Sequence, residues 1–311
     1  MSSKPATFST KIDINLAPKL QKDLEDQGFA ISHPEYTIFF AKKTGINCIL
    51  YKSGALIVQG KNKNEFIEFY LEPEILKKFN FTNPEAFVSM VSRIGVDEAG
   101  KGDFFGPLSI GGVYADEAGI KKLISLNIRD SKKIADKTIL SLAKILKENF
   151  SIAIVRIFPE KYNELYLKFK NLNRLLAWGH AAVISQLVEK TKCKEVIIDQ
   201  FADKHVVENA VSKINLKIHL EQRTKAEEDP VVAAASIVAR AGFLKGLEEM
   251  SEKHNFQFPK GASKMVIETG KKFIEKNGSD SLEKVAKIHF KTSEKIINND
   301  QISDNGPLEG N

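Results

Sequence analysis

The chain has 311 residues, 42% of them hydrophobic, and a net charge of +6, which suits one large domain beside a smaller one and excludes global disorder. Two distant cysteines, Cys48 and Cys193, exclude a disulfide framework or thiolate zinc site, and without a signal-peptide core or an 18-residue apolar run the chain reads as cytosolic, with no membrane partner. The basic balance favours a polyanion as partner, nucleic acid before an anionic surface.

Residues 1–80 form one unit by pattern. A short strand at 8–14 precedes a helix over 16–27, where Leu16, Leu20 and Leu24 recur at spacing four. Strand-like runs at 36–42, 47–52 and 55–59 are separated by turn residues too closely for anything but antiparallel hairpins. A second helix over 64–78 takes its apolar face from Phe66, Phe69, Tyr70 and Leu76. The order strand, helix, three strands, helix predicts a small α+β unit, its sheet covered by helices on one face and open on the other. Lys42, Lys43, Lys52, Lys61 and Lys63 lie on and between these strands. They mark either a face that docks nucleic acid or ordinary solvated strand ends. Residues 81–93, with a turn at Asn83–Pro84, read as a linker, and the polar segment 298–311 as a frayed tail.

From residue 94 to 297, strands alternate with longer helices. Strands are expected at 94–97, 108–114, 151–158, 195–199 and 216–221. Helices are expected at 136–148, at 159–188 as one or two pieces, and at 229–249. This is an α/β domain, a central mixed sheet flanked by helices.

Carboxylates stand where strands end. Asp97–Glu98 closes the apolar run Ile94–Gly95–Val96, and Asp199 closes Val196–Ile197–Ile198. An acidic pair at the end of a buried strand loses hydration and repels itself, objections that a bound cation removes; the alternative is a pair turned to solvent, and for Asp199 a simple turn residue. A third acidic run, Glu227–Glu228–Asp229, precedes Pro230. Asp229 suits a helix N-cap and Pro230 the first helical position, which leaves Glu227 or Glu228 to face a cleft. Converging carboxylates select hard cations, Mg²⁺ or Mn²⁺, and two such ions can clamp both oxygens of a phosphoryl transfer. Glycines at 100, 102, 106, 111 and 112 follow the first pair. They match neither GxGxxG nor a Walker loop, so no nucleotide cofactor is expected; a loop that touches a sugar–phosphate backbone, or a tight turn without ligand, remains.

The segment GVDEAGKGDFFGPLSIGGV (95–113) resembles the signature of the type 2 ribonucleases H. DSKK (130–133), IIDQF (197–201) and KAEEDPVVAAASIVAR (225–240) are similar to that family's later motifs, in the same order. Gly100–Lys101–Gly102 and the extra N-terminal unit resemble the ribonuclease HIII branch, whose first domain is similar to half of a TATA-binding protein. The resemblance implies a ribonuclease H-like fold, dependence on two divalent ions and cleavage of the RNA strand of an RNA–DNA hybrid, leaving 5′-phosphate and 3′-hydroxyl ends. The rival is incision at single ribonucleotides in duplex DNA, as by ribonuclease HII. Carried over, Asp97, Glu98 and Asp199 match the metal-holding acids, and Glu227 the fourth, with Glu228 as second choice. Gly100, Lys101 and Gly102 match the loop that contacts RNA; Lys132 and Lys133 are candidates for phosphate, Lys42 and Lys52 for the N-terminal grip. Asn173 and Arg174 lie in a segment similar to one near the family's site, and His180, in the same segment, is expected to pack rather than to catalyse. HFKTSEK (289–295) sets an aromatic beside lysines, as a strand-binding segment would. A monomer is expected.

Overall fold

The computed structural model describes residues 7–79, 81–82, 88–126, 128, 134–212 and 216–297. The tail, the middle of the expected linker and the DSKK segment lie outside them. The chain divides into two compact units, Met1–Ser89 and Met90–Asn311.

In the first unit, β1 (Thr7–Lys11), β2 (Ala30–Ser32), β3 (Thr37–Lys43), β4 (Ile46–Tyr51) and β5 (Ala55–Gln59) form an antiparallel sheet in the order β1-β5-β4-β3-β2. Strand alternation buries Phe39, Ala41, Cys48, Leu50, Leu56 and Val58 on one face, against Leu20 and Leu24 of α1 (Ala17–Asp26). The other face carries half-exposed Phe40, Ile49 and Ile57, paired in one row, and Lys42, Asn47 and Gln59 in the next. β1 stops at Lys11, short of the expected 14, because Asp13 caps a 3₁₀ turn at Ile14–Leu16 by accepting from the Asn15 N–H.

The second helix corrects the sequence reading. α2 (Lys63–Phe66) runs into a π-helix, Ile67–Leu76, with Pro73 inside it. The wider turn buries Ile67, Leu71 and Ile75 and turns Phe69 out, 73% exposed, so Phe69 is not on the packed face. Lys63 is also misplaced by pattern. It is buried, its Nζ donating to Asn64 Oδ1 at 3.1 Å and lying over the Phe81 ring.

In the second unit, β6 (Arg93–Ala99), β7 (Leu108–Ala115), β8 (Ser151–Ile157), β9 (Glu195–Asp199) and β10 (His219–Arg223) form a sheet ordered β10-β9-β6-β7-β8. β6, β7 and β8 are antiparallel neighbours, whereas β6, β9 and β10 run parallel. The helices are α3 (Glu117–Ser125), α4 (Asp136–Asn149), α5 (Pro159–Phe169), α6 (Leu172–Thr191), α7 (Lys204–Ser212), α8 (Pro230–His254), α9 (Lys264–Asn277) and α10 (Lys291–Ile297). The break in 159–188 falls at Lys170, in the left-handed region, and at Asn171, which caps α6 by accepting from the Arg174 N–H. The last strand sits at 219–223 rather than 216–221, because parallel pairing sets Arg223 beside Asp199.

Adjacent glycines of β7 show why helices cover both faces of this sheet. A Cβ on Gly111 would lie 2.5 Å from Ala239 N on α8, and one on Gly112 would lie 2.5 Å from Val183 Cγ1 on α6. α8 is long and apolar enough to cross a membrane by length and composition, but 83% of that stretch is buried in this unit, as expected of a core helix. Gly111→Ala meets helix backbone, which cannot yield as a side chain can. We expect it to cost about 3 kcal/mol by overpacking, or roughly 6–12 °C in melting temperature. A melting curve like the wild type's would show that the helix stands further off than described.

Candidate active site

The acids lie at the carboxyl ends of two adjoining parallel strands. β6 and β9 pair Val96 with Ile198, so Asp97 and Asp199 are the next residues along each. Alternation sends successive side chains to opposite faces. Asp97 faces α8, where Ser236 donates a hydrogen bond to it, and Glu98 faces α6, where His180 meets it. Asp199 shares Asp97's side: Ile197, two residues before it, packs with Ala226, in the turn before α8, and with Val232 in the first turn of α8. The structure thus brings Asp97 and Asp199 to one edge and turns Glu98 across it.

Each carboxylate is met by protein donors. Asp97 Oδ1 accepts the Glu98 N–H at 2.8 Å. Glu98 Oε2 is 3.0 Å from His180 Nε2, and Oε1 is 3.5 Å from Lys101 Nζ. Asp199 Oδ1 accepts the Ala226 N–H at 3.2 Å. Among the described residues, no three carboxylate, imidazole or thiol groups surround a common point. Burial, and then the charge of Glu98, push the Asp97 carboxyl up to about 6. Burial raises Glu98 too, but the His180 hydrogen bond and charge, followed by Lys101, hold it below the ordinary range. Asp97 is therefore the acid whose ionisation its surroundings oppose.

The acidic run before α8 separates into different environments. Asp229 is buried and fully engaged: Oδ1 accepts from the Val231 and Val232 N–H groups, and Oδ2 from Arg93 Nε at 2.9 Å and Arg223 Nη2 at 3.2 Å. It is the N-cap expected from sequence. Glu228 is exposed and Glu227 half-buried, in a 3₁₀ turn, Ala226–Glu228, whose first N–H reaches Asp199.

The glycine loop has a fixed backbone and an open rim. Gly100 has φ +84°, and a Cβ there would lie 2.3 Å from Pro107 O, so only glycine fits; Gly102 has open space around it. Lys101 is partly exposed, its ammonium 5.8 Å from the Phe201 ring centre. The loop is locked from beneath by Lys287, fully buried, whose Nζ donates to Asp103 O at 2.8 Å and Gly106 O at 2.7 Å. Burial pushes that ammonium down to about 7. Gly261 N–H donates to Asp103 Oδ1 at 2.6 Å and Gly261 O accepts from Phe104 N–H. Sequence reading missed Lys287, because its partners lie more than 180 residues away. It did not foresee the partner of His180 either: the ring is packed, as expected, yet against Glu98 and Phe201.

Of the remaining candidates, Lys132 and Lys133 lie outside the described residues. Lys42 is exposed on the open face of the first unit, and Lys52 is exposed in the turn after β4. Lys43 is tied down locally, donating to Gln27 O at 2.7 Å. His289, in the predicted strand-binding segment, stacks on Tyr166 with ring centres 4.2 Å apart.

The family model described as ribonuclease HII matches residues 94–293, and a domain of unknown function (DUF3378) matches residues 8–83. The chain is 50% identical over 297 residues to a ribonuclease HIII of Protochlamydia amoebophila, covering 96% of this chain and 98% of that one. It is 46% identical to a ribonuclease HIII of Chlamydia caviae, covering 93% and 97%. Among solved structures, Bst-RNase HIII in complex with Mn²⁺ superposes with a TM-score of 0.67 at 26% identity, covering 94% of this chain and 98% of that one. RNase H3 of Aquifex aeolicus gives 0.54 at 30% identity, covering 90% and 99%. Strand-end acids, glycine loop and full-length likeness together place the chain in the ribonuclease HIII family, enzymes of ribonuclease H type.

Proposed function

We propose that the chain cuts the RNA strand of an RNA–DNA hybrid by hydrolysis with two divalent ions, Mg²⁺ or Mn²⁺, leaving 5′-phosphate and 3′-hydroxyl ends. The observation that carries this reading is the placement of Asp97 and Asp199 directly after the paired Val96 and Ile198 on adjoining parallel strands, with Glu98 beside them. The donor set fits such ions: it is all carboxylate oxygen, and burial together with the charge of Glu98 opposes the ionisation of Asp97, which a cation would relieve. Asp97, Glu98 and Asp199 hold the ions, and Glu227 completes the set. When bound, the ions supply a more acidic water and neutralise charge on the leaving oxygen. The chain's own part is to orient its acids and to offer the backbone of Gly100–Gly102 to the strand carrying 2′-hydroxyls.

The test is cleavage of a labelled hybrid with Mg²⁺, Mn²⁺ or chelator, with the product ends mapped. No metal-dependent cut, or cutting only at a single ribonucleotide in duplex DNA, would overturn it. Glu227→Gln should lower the rate by about 10–100-fold, in the range seen for groups that support a metal, whereas Glu228→Gln should stay within about twofold of the wild type, like an exposed surface change. The reverse ranking would move the fourth acid to Glu228.

A further inference from the structure

We infer that His180 is a positioning residue for Glu98, and that the protein's affinity for divalent ions depends on it. The inference rests on the proposal that Asp97, Glu98 and Asp199 hold those ions.

His180 is 0% exposed in the middle of α6. The helix is pressed onto the sheet there: a Cβ on Gly179 would meet Ile110 Cδ1 at 2.7 Å. The imidazole therefore has little freedom to shift. Its Nε2 lies 3.0 Å from Glu98 Oε2, and because an ionised carboxylate only accepts, the proton of that bond sits on Nε2. The ring also packs 4.7 Å from Phe201, two residues past Asp199. Lys101 meets the other oxygen, Oε1, but its side chain is 39% exposed on a flexible stem. Of the two groups on Glu98, only His180 is rigid.

Glu98 needs such a partner. Alternation turns it away from Asp97 and Asp199, towards α6, so its carboxylate must be aimed back over the strand end to share ions with them. A buried imidazole that fixes one oxygen leaves the second to a cation, as supporting hydrogen bonds do for metal-holding carboxylates elsewhere. Nδ1 has no hydrogen-bond partner among the described residues, and the ring has no contact with solvent. This leaves no path for exchanging protons with substrate, so the residue acts through Glu98.

The experiment uses the full chain. Mn²⁺ binding is measured from the loss of its free electron-spin-resonance signal, hybrid affinity in chelator, and folding by circular dichroism. His180→Phe keeps a ring and removes the donor; His180→Gln keeps a donor near the Nε2 position; His180→Asn is too short to reach. We expect Phe and Asn to weaken Mn²⁺ binding by about 10–100-fold, hybrid binding in chelator to be unchanged, and Gln to restore most of the affinity. Should the Phe variant fail to fold, the difference between Gln and Asn decides. Wild-type Mn²⁺ affinity in folded Phe or Asn variants, or equal losses in Gln and Asn, would overturn the inference. Asp97→Asn is run beside them. If it too binds Mn²⁺ normally, the metal-site proposal fails; if it alone loses Mn²⁺, only the role of His180 fails.

Discussion

Asp97→Asn is expected to abolish cleavage, by about 10³-fold or more, since it removes a carboxylate proposed to hold the divalent ions that stabilise the attacking and leaving oxygens, and also to stabilise the protein when no metal is bound. The second effect follows from the raised carboxyl of Asp97, at about 6 against an ordinary 3.8, through burial first and Glu98 second. The folded chain holds this proton more tightly than the unfolded chain, so ionisation above pH 6 opposes folding. A rise of that size corresponds to roughly 3 kcal/mol, and partial exposure of Asp97 reduces this to about 1–2 kcal/mol. Below the unfolded value near 4 both states are protonated and the penalty vanishes. In chelator, the melting temperature of the variant should therefore rise above the wild type's between pH 4 and 6 and stay above it at neutral pH. Hybrid affinity should be nearly unaltered. Cleavage at the wild-type rate in Mg²⁺ would remove Asp97 from the site; a variant less stable at every pH would remove the charge argument.

The second large effect is expected from deleting the first unit. A chain starting at Met90 keeps every acid, the glycine loop and its own cores, since the buried clusters of the two units share no member. It loses the open sheet face with Phe40, Ile49, Ile57 and Lys42. If that face grips the hybrid, the truncated protein should bind about 10–100-fold more weakly at moderate salt, because a second, linked binding surface is gone. The slope of affinity against salt should also fall, by about one for each phosphate no longer neutralised. The turnover rate at saturating hybrid should change little. Equal affinity of the two forms would leave the face without a role in gripping.

The candidate site was legible where chemistry is written into a short stretch. An apolar strand ending in an acid marked Asp97, Glu98 and Asp199, and Asp229–Pro230 announced the start of α8. The alternating runs at 36–42, 47–52 and 55–59 predicted three strands to within a residue. β2 escaped because three residues give too little alternation to register. The π-helix escaped because its turn departs from the 3.6-residue period on which the pattern rests, and Phe69 was misassigned with it. The links of Glu98 to His180, Asp199 to Ala226 and Lys287 to the glycine loop join residues from 27 to 184 positions apart. No local pattern carries that information.

The ammonium of Lys287 makes the geometry of the glycine loop depend on the far end of the unit. It joins Asp103 O across 184 residues and Gly106 O across 181, so the C-terminal segment anchors the loop's backbone. Were that segment undocked, Asp97 and Glu98 would keep their place through the pairing of β6 with β7, beside a loop that has lost its anchor. Acids alone do not make the site; its grip on a strand is lent by residues from the other end of the sequence.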